Sequence, residues 1–113
     1  MAKRKAAAYL RFNPGISKTE KEAATKKLLT YIAAKKSFQL ENIYIDEDVT
    51  ARQKKPHFEQ LVADAEKGVF KTVITSAKGK IAADDKTLAD YVARLKACGC
   101  ELIEESTGKV LTE

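Results

Sequence analysis

Arginine and lysine side chains recur shortly after three apolar runs of the sequence, each of strand length. Arg11 stands near the end of the first run, and Asn13 follows it two residues later. The second and third runs are followed by the other cations, which are Arg52, Lys54, Lys55, Lys78 and Lys80. Guanidinium and ammonium groups bind phosphate oxygens through charge-assisted hydrogen bonds. If one edge of the fold gathers these cations, that edge is suited to phosphate.

Four apolar runs alternate with three helical patterns, and this order predicts how the cations are positioned. The predicted strands are 6–12, 40–45, 70–75 and 100–103, and the predicted helices are 17–36, 56–67 and 84–98. Such alternation indicates a parallel sheet with right-handed crossovers. Ligands of these sheets bind beyond the carboxyl ends of the strands, which is where the cations fall. We therefore predict a single α/β domain over residues 1–113, with a polar tail from about residue 104.

Short motifs mark where helices begin and end. Ser17 and Glu20 match a capping box, in which the serine hydroxyl accepts from the backbone N–H three residues later. Pro56 suits the first turn of the second helix, and Gly68 can take the left-handed conformation that ends it. His57, the single histidine, follows Pro56, and we expect it to be an exposed surface residue.

The net charge of +5 is unevenly distributed along the chain. Residues 1–55 contain 13 Lys/Arg and 6 Asp/Glu, a net charge of +7, whereas residues 56–113 contain 8 and 10, a net charge of −2. This asymmetry indicates a basic face that meets nucleic acid, although lysines of the first helix that face only solvent would produce it equally well.

Several classes of protein and site are excluded by what the sequence lacks. No run approaches the ~20 apolar residues of a membrane span. The basic N-terminus resembles the start of a signal peptide, but Arg11 interrupts the short apolar run after it. We therefore expect a cytoplasmic protein without membrane contact. Cys98 and Cys100 are too close for a zinc pair, and we expect reduced thiols and neither a metal nor a cofactor. The first turn lacks the carboxylates of a phosphoacceptor receiver domain and the glycines of a dinucleotide fold, and Walker spacing is absent.

The opening segment 9–13, Tyr-Leu-Arg-Phe-Asn, resembles the Tyr-x-Arg-x-Ser strand of the serine site-specific recombinases, the resolvase/invertase family. Further along, Asp46-Glu47 is similar to that family's Asp-Glu pair, Lys55-Pro56 to the start of its Arg-Pro-Gly-Leu helix, and segment 65–70 to its entry into the third strand. The resemblance implies the family's catalytic domain, a three-layer α/β domain with a four-stranded, mainly parallel sheet and flanking helices.

The sequence departs from the family at the residues that would perform catalysis. Asn13 occupies the slot of the nucleophilic serine, Lys55 and Lys80 replace arginines, and Ala83 replaces the second arginine of the phosphate clamp. A carboxamide has no ionisable O–H to attack phosphorus, and losing a positioned cation in phosphoryl transfer costs about 10³-fold or more. Ser17 is better used as a helix cap than as a substitute nucleophile. We therefore interpret the active site as degenerate and catalysis as lost.

From these departures we predict a non-catalytic role in DNA recombination or mobile elements, as a weak DNA-binding or protein-interaction module. The expected DNA-binding residues are Arg11, Arg52, Lys55, Lys78 and Lys80. Expected partners are DNA bound weakly and without sequence preference, a second copy of the chain, or a full-length recombinase. Since ten residues follow Ile103, we expect the family's dimerisation helix and DNA-binding domain to be absent from this chain. The alternatives are a truncated recombinase domain with divergent strand-transfer activity, and an unrelated α/β protein that binds a small phosphorylated ligand.

Overall fold

Strands and helices follow one another in the predicted order. The computed structural model describes residues 4–47, 56–76, 85–105 and 107–112. The strands are β1 (Arg4–Arg11), β2 (Phe38–Asp46), β3 (Thr72–Thr75), β4 (Glu101–Glu104) and β5 (Lys109–Val110), and the helices are α1 (Lys18–Ala34), α2 (Pro56–Glu66) and α3 (Asp85–Ala97). The predicted α/β alternation is confirmed, with element boundaries that differ by at most two residues.

The sheet has the strand order β2-β1-β3-β4-β5, so β1 lies inside it and β2 at one edge. β1 pairs in parallel with β2 and with β3, and β3 pairs in parallel with β4. The four parallel strands therefore end at the same edge of the sheet, which we call the carboxyl edge. Arg11, Asp46, Thr75 and Glu104 are the last residues of these strands.

A fifth strand corrects the predicted four-stranded sheet. Residues Lys109 and Val110 lie in the segment predicted to be a polar tail, yet they pair antiparallel with Glu104 and Ile103. Gly108 makes the reversal possible because its φ of +72° is in the left-handed region that favours glycine. A strand of two residues is too short to produce a periodic pattern, and this is why the sequence did not reveal it.

Two apolar cores lie on opposite faces of the sheet because successive strand residues point to opposite sides. The face covered by α2 and α3 has an aromatic core, in which Phe58 packs edge-on against Tyr9 and Tyr91 with ring centroids 4.7 and 4.6 Å apart. The face covered by α1 has a smaller, mostly aliphatic core, whose buried residues are Ala6, Ala8, Leu10, Phe12, Leu28, Ile32, Ile74 and Ile103. Among the described residues, no helix is long and apolar enough to cross a membrane.

Candidate functional site

Four polar residues lie buried at the carboxyl edge of the sheet, on the face covered by α2 and α3. We call Arg11, Asp46, Thr75 and Glu104 the carboxyl-edge cluster, and their exposed fractions are 5%, 2%, 0% and 6%. Arg11 is the register partner of Asp46, and Thr75 that of Glu104. Each of these residues lies an even number of positions from a strand residue of the aromatic core, so all four share its face. The expectation that Arg11 and Asp46 meet at one edge is confirmed.

Asp46 ties the end of β2 to the start of α2. Its Oδ1 accepts from the backbone N–H of His57 at 3.0 Å, and its Oδ2 accepts from that of Phe58 at 3.0 Å. The first N–H groups of a helix have no partner within the helix, so this carboxylate acts as a cap supplied by a distant residue. The Tyr9 hydroxyl donates to Oδ2 at 2.9 Å, which links β1 to the same group.

These hydrogen bonds determine the ionisation of the Asp46 carboxyl. Burial alone would raise its pKa, but donation from the His57 N–H and ring, the Tyr9 hydroxyl and the Phe58 N–H outweighs burial and holds the pKa below its ordinary value. The pKa of Tyr9 is shifted in the opposite direction. Burial, and to a smaller extent donation to the charged carboxylate, raises it well above that of a free tyrosine. Asp46 is therefore an anion and Tyr9 a neutral donor at ordinary pH.

The His57 ring lies against the same carboxylate. Its Nδ1 is 2.8 Å from Asp46 Oδ1, while 61% of the His57 side chain stays exposed. The expected exposure of His57 is confirmed, but the sequence did not reveal its contact with Asp46, eleven residues earlier. The only sequence signal was the position of Pro56, which places His57 in a first helical turn where a capping carboxylate is usually found.

Arg11 and Asn13 contact each other directly. Arg11 Nη1 donates to Asn13 Oδ1 at 2.6 Å, and Asn13 itself is exposed. The carboxamide oxygen thus accepts from a guanidinium that is nearly inaccessible to solvent. Neither atom of this contact can attack phosphorus, since one is a cationic donor and the other a neutral carbonyl oxygen.

Thr75 and Glu104 are buried polar residues that sequence reasoning missed. Glu104 Oε1 accepts from the Thr107 hydroxyl at 2.8 Å, and Thr75 Oγ1 is buried without a hydrogen-bond partner among the described residues. Glu104 was expected to begin an exposed tail, and Thr75 was expected to be an ordinary strand residue. Glu104 pairs with Lys109 of β5, which extends the sheet beyond β4, and Thr75 belongs to the inner strand β3, between β1 and β4.

Most of the residues predicted for the site lie outside the part of the chain that the structure describes. They are Arg52, Lys55, Lys78, Lys80 and Ala83. Ser17 is placed, and its Oγ accepts from the Glu20 N–H at 3.2 Å, which confirms it as the cap of α1.

The residues present give no indication of a metal centre. In the described ranges, no group of three or more His, Cys, Asp or Glu side chains is close enough to hold a metal ion. Cys98 and Cys100 are free thiols, and burial, with a smaller contribution from Cys98, raises the pKa of Cys100 to about 12. A thiol with so high a pKa is a poor nucleophile and a poor metal ligand at neutral pH.

An open groove of about 640 Å³ lies on the other face of the sheet, between α1 and β2. Phe12, Leu29 and Ile45 contribute apolar surface, and Lys21 and Glu47, joined by an ion pair of 3.6 Å, stand at its rim. The groove lies on the face opposite the carboxyl-edge cluster, because Ile45 and Phe12 belong to the aliphatic core.

Comparison with known proteins identifies relatives of this fold. The family model described as "Resolvase, N terminal domain" matches residues 6–112. The N-terminal catalytic domain of TP901-1 integrase superimposes with a TM-score of 0.84 at 19% identity, over 97% of this chain and 83% of that one. A comparison with curated proteins gives no significant match.

Two further solved structures are similar. A resolvase family site-specific recombinase from Streptococcus pneumoniae has a TM-score of 0.82 at 16% identity, over 98% of this chain and 78% of that one. The C-terminal catalytic domain of ISC1926 TnpA, an IS607-like serine recombinase, has a TM-score of 0.79 at 15% identity, over 89% of this chain and 70% of that one. At these identities the structural likeness establishes the fold.

Proposed function

Because this chain belongs to the resolvase family, whose N-terminal domain matches residues 6–112, we propose that it is a serine-recombinase-like domain that does not capture DNA covalently. Its role is in DNA recombination or mobile elements, where it binds DNA weakly and without sequence preference. The matched solved structures are catalytic domains and recombinases by name. Their names support a role in DNA recombination for this chain, but they do not indicate that it catalyses strand transfer.

The contact between Arg11 and Asn13 carries this proposal. The resemblance assigns Arg11 to the arginine of the family's opening strand and Asn13 to the slot of the nucleophilic serine. Here Asn13 Oδ1 accepts from Arg11 Nη1 at 2.6 Å, and Arg11 is 5% exposed. The slot of the nucleophile therefore holds a group without an ionisable O–H, which is hydrogen-bonded to the arginine of the same opening segment.

Covalent capture can be tested with supercoiled DNA. We expect no protein–DNA adduct on denaturing gels from the parent chain or from Ser17→Ala. Asn13→Ser, which restores the missing hydroxyl, is the matched variant and shows whether the rest of the site can still support attack. An adduct formed by the parent would favour the alternative of divergent strand transfer, and its loss in Ser17→Ala would identify Ser17 as the nucleophile.

Non-covalent binding is supported by the placement of the acidic residues near the carboxyl edge. Asp46 is buried and bonded to α2, and Glu47 forms an ion pair with Lys21. The Asp46 carboxylate is therefore not presented at the surface, and Lys21 offsets part of the charge of Glu47. Since Arg11 is also buried, the binding cations of this proposal are Arg52, Lys55, Lys78 and Lys80.

A salt titration of duplex DNA binding measures how many of these cations act. Contact with about four phosphates predicts a slope near −3.6 for log Kobs against log salt concentration. We expect Lys78→Ala/Lys80→Ala to reduce that slope by about half, and Lys26→Ala/Lys27→Ala, on the exposed surface of α1, to leave it unchanged. Binding that is undetectable at low salt, or an equal loss in both double variants, contradicts the proposal.

The groove between α1 and β2 favours protein interaction as a second function. Its apolar wall of Phe12, Leu29 and Ile45 is open to solvent, and open apolar grooves are common protein-binding sites. The partner to test is a full-length serine recombinase. We expect Leu29→Glu to weaken its co-purification with this domain, whereas Lys36→Glu, an exposed change two residues after the end of α1, should not.

A further inference from the structure

We propose that Asp46 and His57 form a general-base pair that activates water for the hydrolysis of a phosphodiester. This activity needs neither the missing serine nor a covalent intermediate. Its substrate class rests on the proposed contact with the DNA backbone, whereas the base itself rests on the geometry of the two side chains.

The carboxylate of the pair is held in a fixed orientation. Asp46 is 2% exposed, and both of its oxygens accept backbone N–H groups from the first turn of α2, at 3.0 Å each. The Tyr9 hydroxyl, at 2.9 Å, fixes the carboxylate from the side of β1. Rotation of the carboxylate would break all three bonds, so Asp46 can orient a neighbouring ring without moving itself.

The ring next to this carboxylate is oriented for acceptance of a proton. Asp46 is an acceptor, so His57 Nδ1, 2.8 Å from Oδ1, must be the atom that carries hydrogen. In the neutral ring, Nε2 then has a lone pair, and the side chain is 61% exposed. A histidine whose Nδ1–H is held by a carboxylate is the arrangement that activates hydroxyl nucleophiles in hydrolytic enzymes.

The pair lies where a phosphate of the proposed DNA ligand would approach. Asp46 ends β2 and is the register partner of Arg11 at the carboxyl edge, beyond which parallel α/β sheets bind their ligands. The histidine also departs from the family's motif, because the resemblance places a glycine after the proline of the corresponding helix start, where this sequence has His57. A glycine there could not supply a base.

The reaction step consumes water and no other reactant. His57 Nε2 takes one proton from a water molecule while the water oxygen forms a bond to phosphorus. The bond between phosphorus and the leaving oxygen breaks, and that oxygen leaves with the electron pair. With 4-nitrophenol as leaving group, the product is 4-nitrophenolate, and the imidazolium then returns its proton to solvent.

The test uses bis(4-nitrophenyl) phosphate in the presence of a chelator, which suppresses contaminating metal-dependent nucleases. His57→Asn is the informative variant because the asparagine amide can still donate to Asp46, whereas no basic nitrogen remains. General-base catalysis is worth about 10²–10⁴-fold, so we expect at least an approximately 100-fold loss of hydrolysis. The thermal midpoint should change little, which separates lost chemistry from lost structure.

A second histidine controls for catalysis by any exposed imidazole. His57→Asn/Lys36→His keeps one histidine but places it on the exposed surface near the end of α1. We expect this double variant to be as slow as His57→Asn, because its histidine has no carboxylate partner that corresponds to Asp46. A parent rate equal to that of the double variant overturns the proposal.

The tautomer gives an independent check that does not depend on activity. In ¹⁵N-labelled protein, neutral His57 should show a protonated Nδ1 and an unprotonated Nε2, and the opposite tautomer overturns the proposal. The outcome is separable from DNA binding. Hydrolysis of the small diester without duplex binding refutes only the proposed function, and duplex binding without hydrolysis refutes only this inference.

Discussion

Helix α1 is capped by the residue directly before it, whereas α2 is capped by a residue at the end of strand β2. Ser17 accepts from the Glu20 N–H at 3.2 Å in an exposed position. Asp46 accepts from the N–H groups of His57 and Phe58, eleven and twelve residues later, and is almost completely buried. The first cap is a local motif, and the second joins β2, α2 and, through Tyr9, β1.

This difference determines how much each cap contributes to stability. An exposed cap can be replaced by water when it is removed, because solvent reaches the helix end. A buried carboxylate that is removed leaves several donors without a partner in a place that water does not reach. The capping carboxylate of α2 is therefore part of the tertiary structure, and it is also the group that orients the candidate base His57.

The largest expected effect is that of Asp46→Asn. The substitution replaces one accepting oxygen with a donating NH₂ group that faces other donors, and hydrogen bonds to charged groups are worth about 1.5–3 kcal/mol each. We expect a loss of about 3 kcal/mol in the free energy of unfolding, measured by urea denaturation. The exposed change Glu22→Gln on α1 is the control, and a loss below about 1 kcal/mol would show that the cap is not a tertiary contact.

The same carboxylate predicts a dependence of stability on pH. The pKa of Asp46 in the folded chain lies below its ordinary value, which is about 3.9 in an unfolded chain. A depressed pKa gives stability that is fully present above the unfolded value and is lost as the pH falls through the folded value. The stability that Asp46 contributes relative to Asp46→Asn should therefore shrink as the pH falls below about 4. A constant difference down to pH 2 would contradict this assignment.

Tyr9→Phe tests the hydrogen bond between β1 and Asp46, and we expect it to lower the free energy of unfolding by less than Asp46→Asn does. The change removes one donor to Asp46 Oδ2 and leaves both backbone donors in place. We expect a loss of about 2 kcal/mol in the free energy of unfolding, the value typical of one hydrogen bond to a charged group. Tyr91→Phe is the matched control, because Tyr91 donates at 2.7 Å to Glu59, which is exposed. Equal losses in the two variants would mean that burial of Asp46 adds nothing.

The fold was largely predictable from the sequence because its signals are local. Helix α2 shows this best: Phe58, Leu61, Val62 and Ala65 recur at helical spacing and are all buried, and Gly68 has the expected positive φ of +81°. The resemblance to serine recombinases, based on short motifs around Tyr9 and Arg11, is confirmed by the family match. β5 was missed because it is stabilised by pairing with β4 rather than by its own two residues.

The candidate site was predictable only in part, because its geometry depends on contacts distant in sequence. Arg11 and Asp46 were expected at one edge, since parallel strands end together. The sequence did not indicate that Asp46 would be buried, since a run of acidic residues ordinarily marks an exposed loop. The proximity of His57 to Asp46 follows from the crossover that brings α2 back to the end of β2, and no local motif records it.

The smallest expected effect completes the comparison of the two caps. Ser17→Ala removes an exposed hydroxyl that accepts one N–H at 3.2 Å, and water can take its place at the helix end. We expect a loss of about 0.5–1 kcal/mol in the free energy of unfolding, without the change below pH 4 that Asp46 confers, because no titrating group is removed. Ser17→Asp is the conservative variant: it keeps an accepting oxygen and places a negative charge at the positive end of the α1 dipole, so stability should be retained or slightly raised. If Ser17→Ala costs as much as Asp46→Asn, the local cap of α1 must be coupled to the rest of the fold, and the distinction between the two helix starts fails.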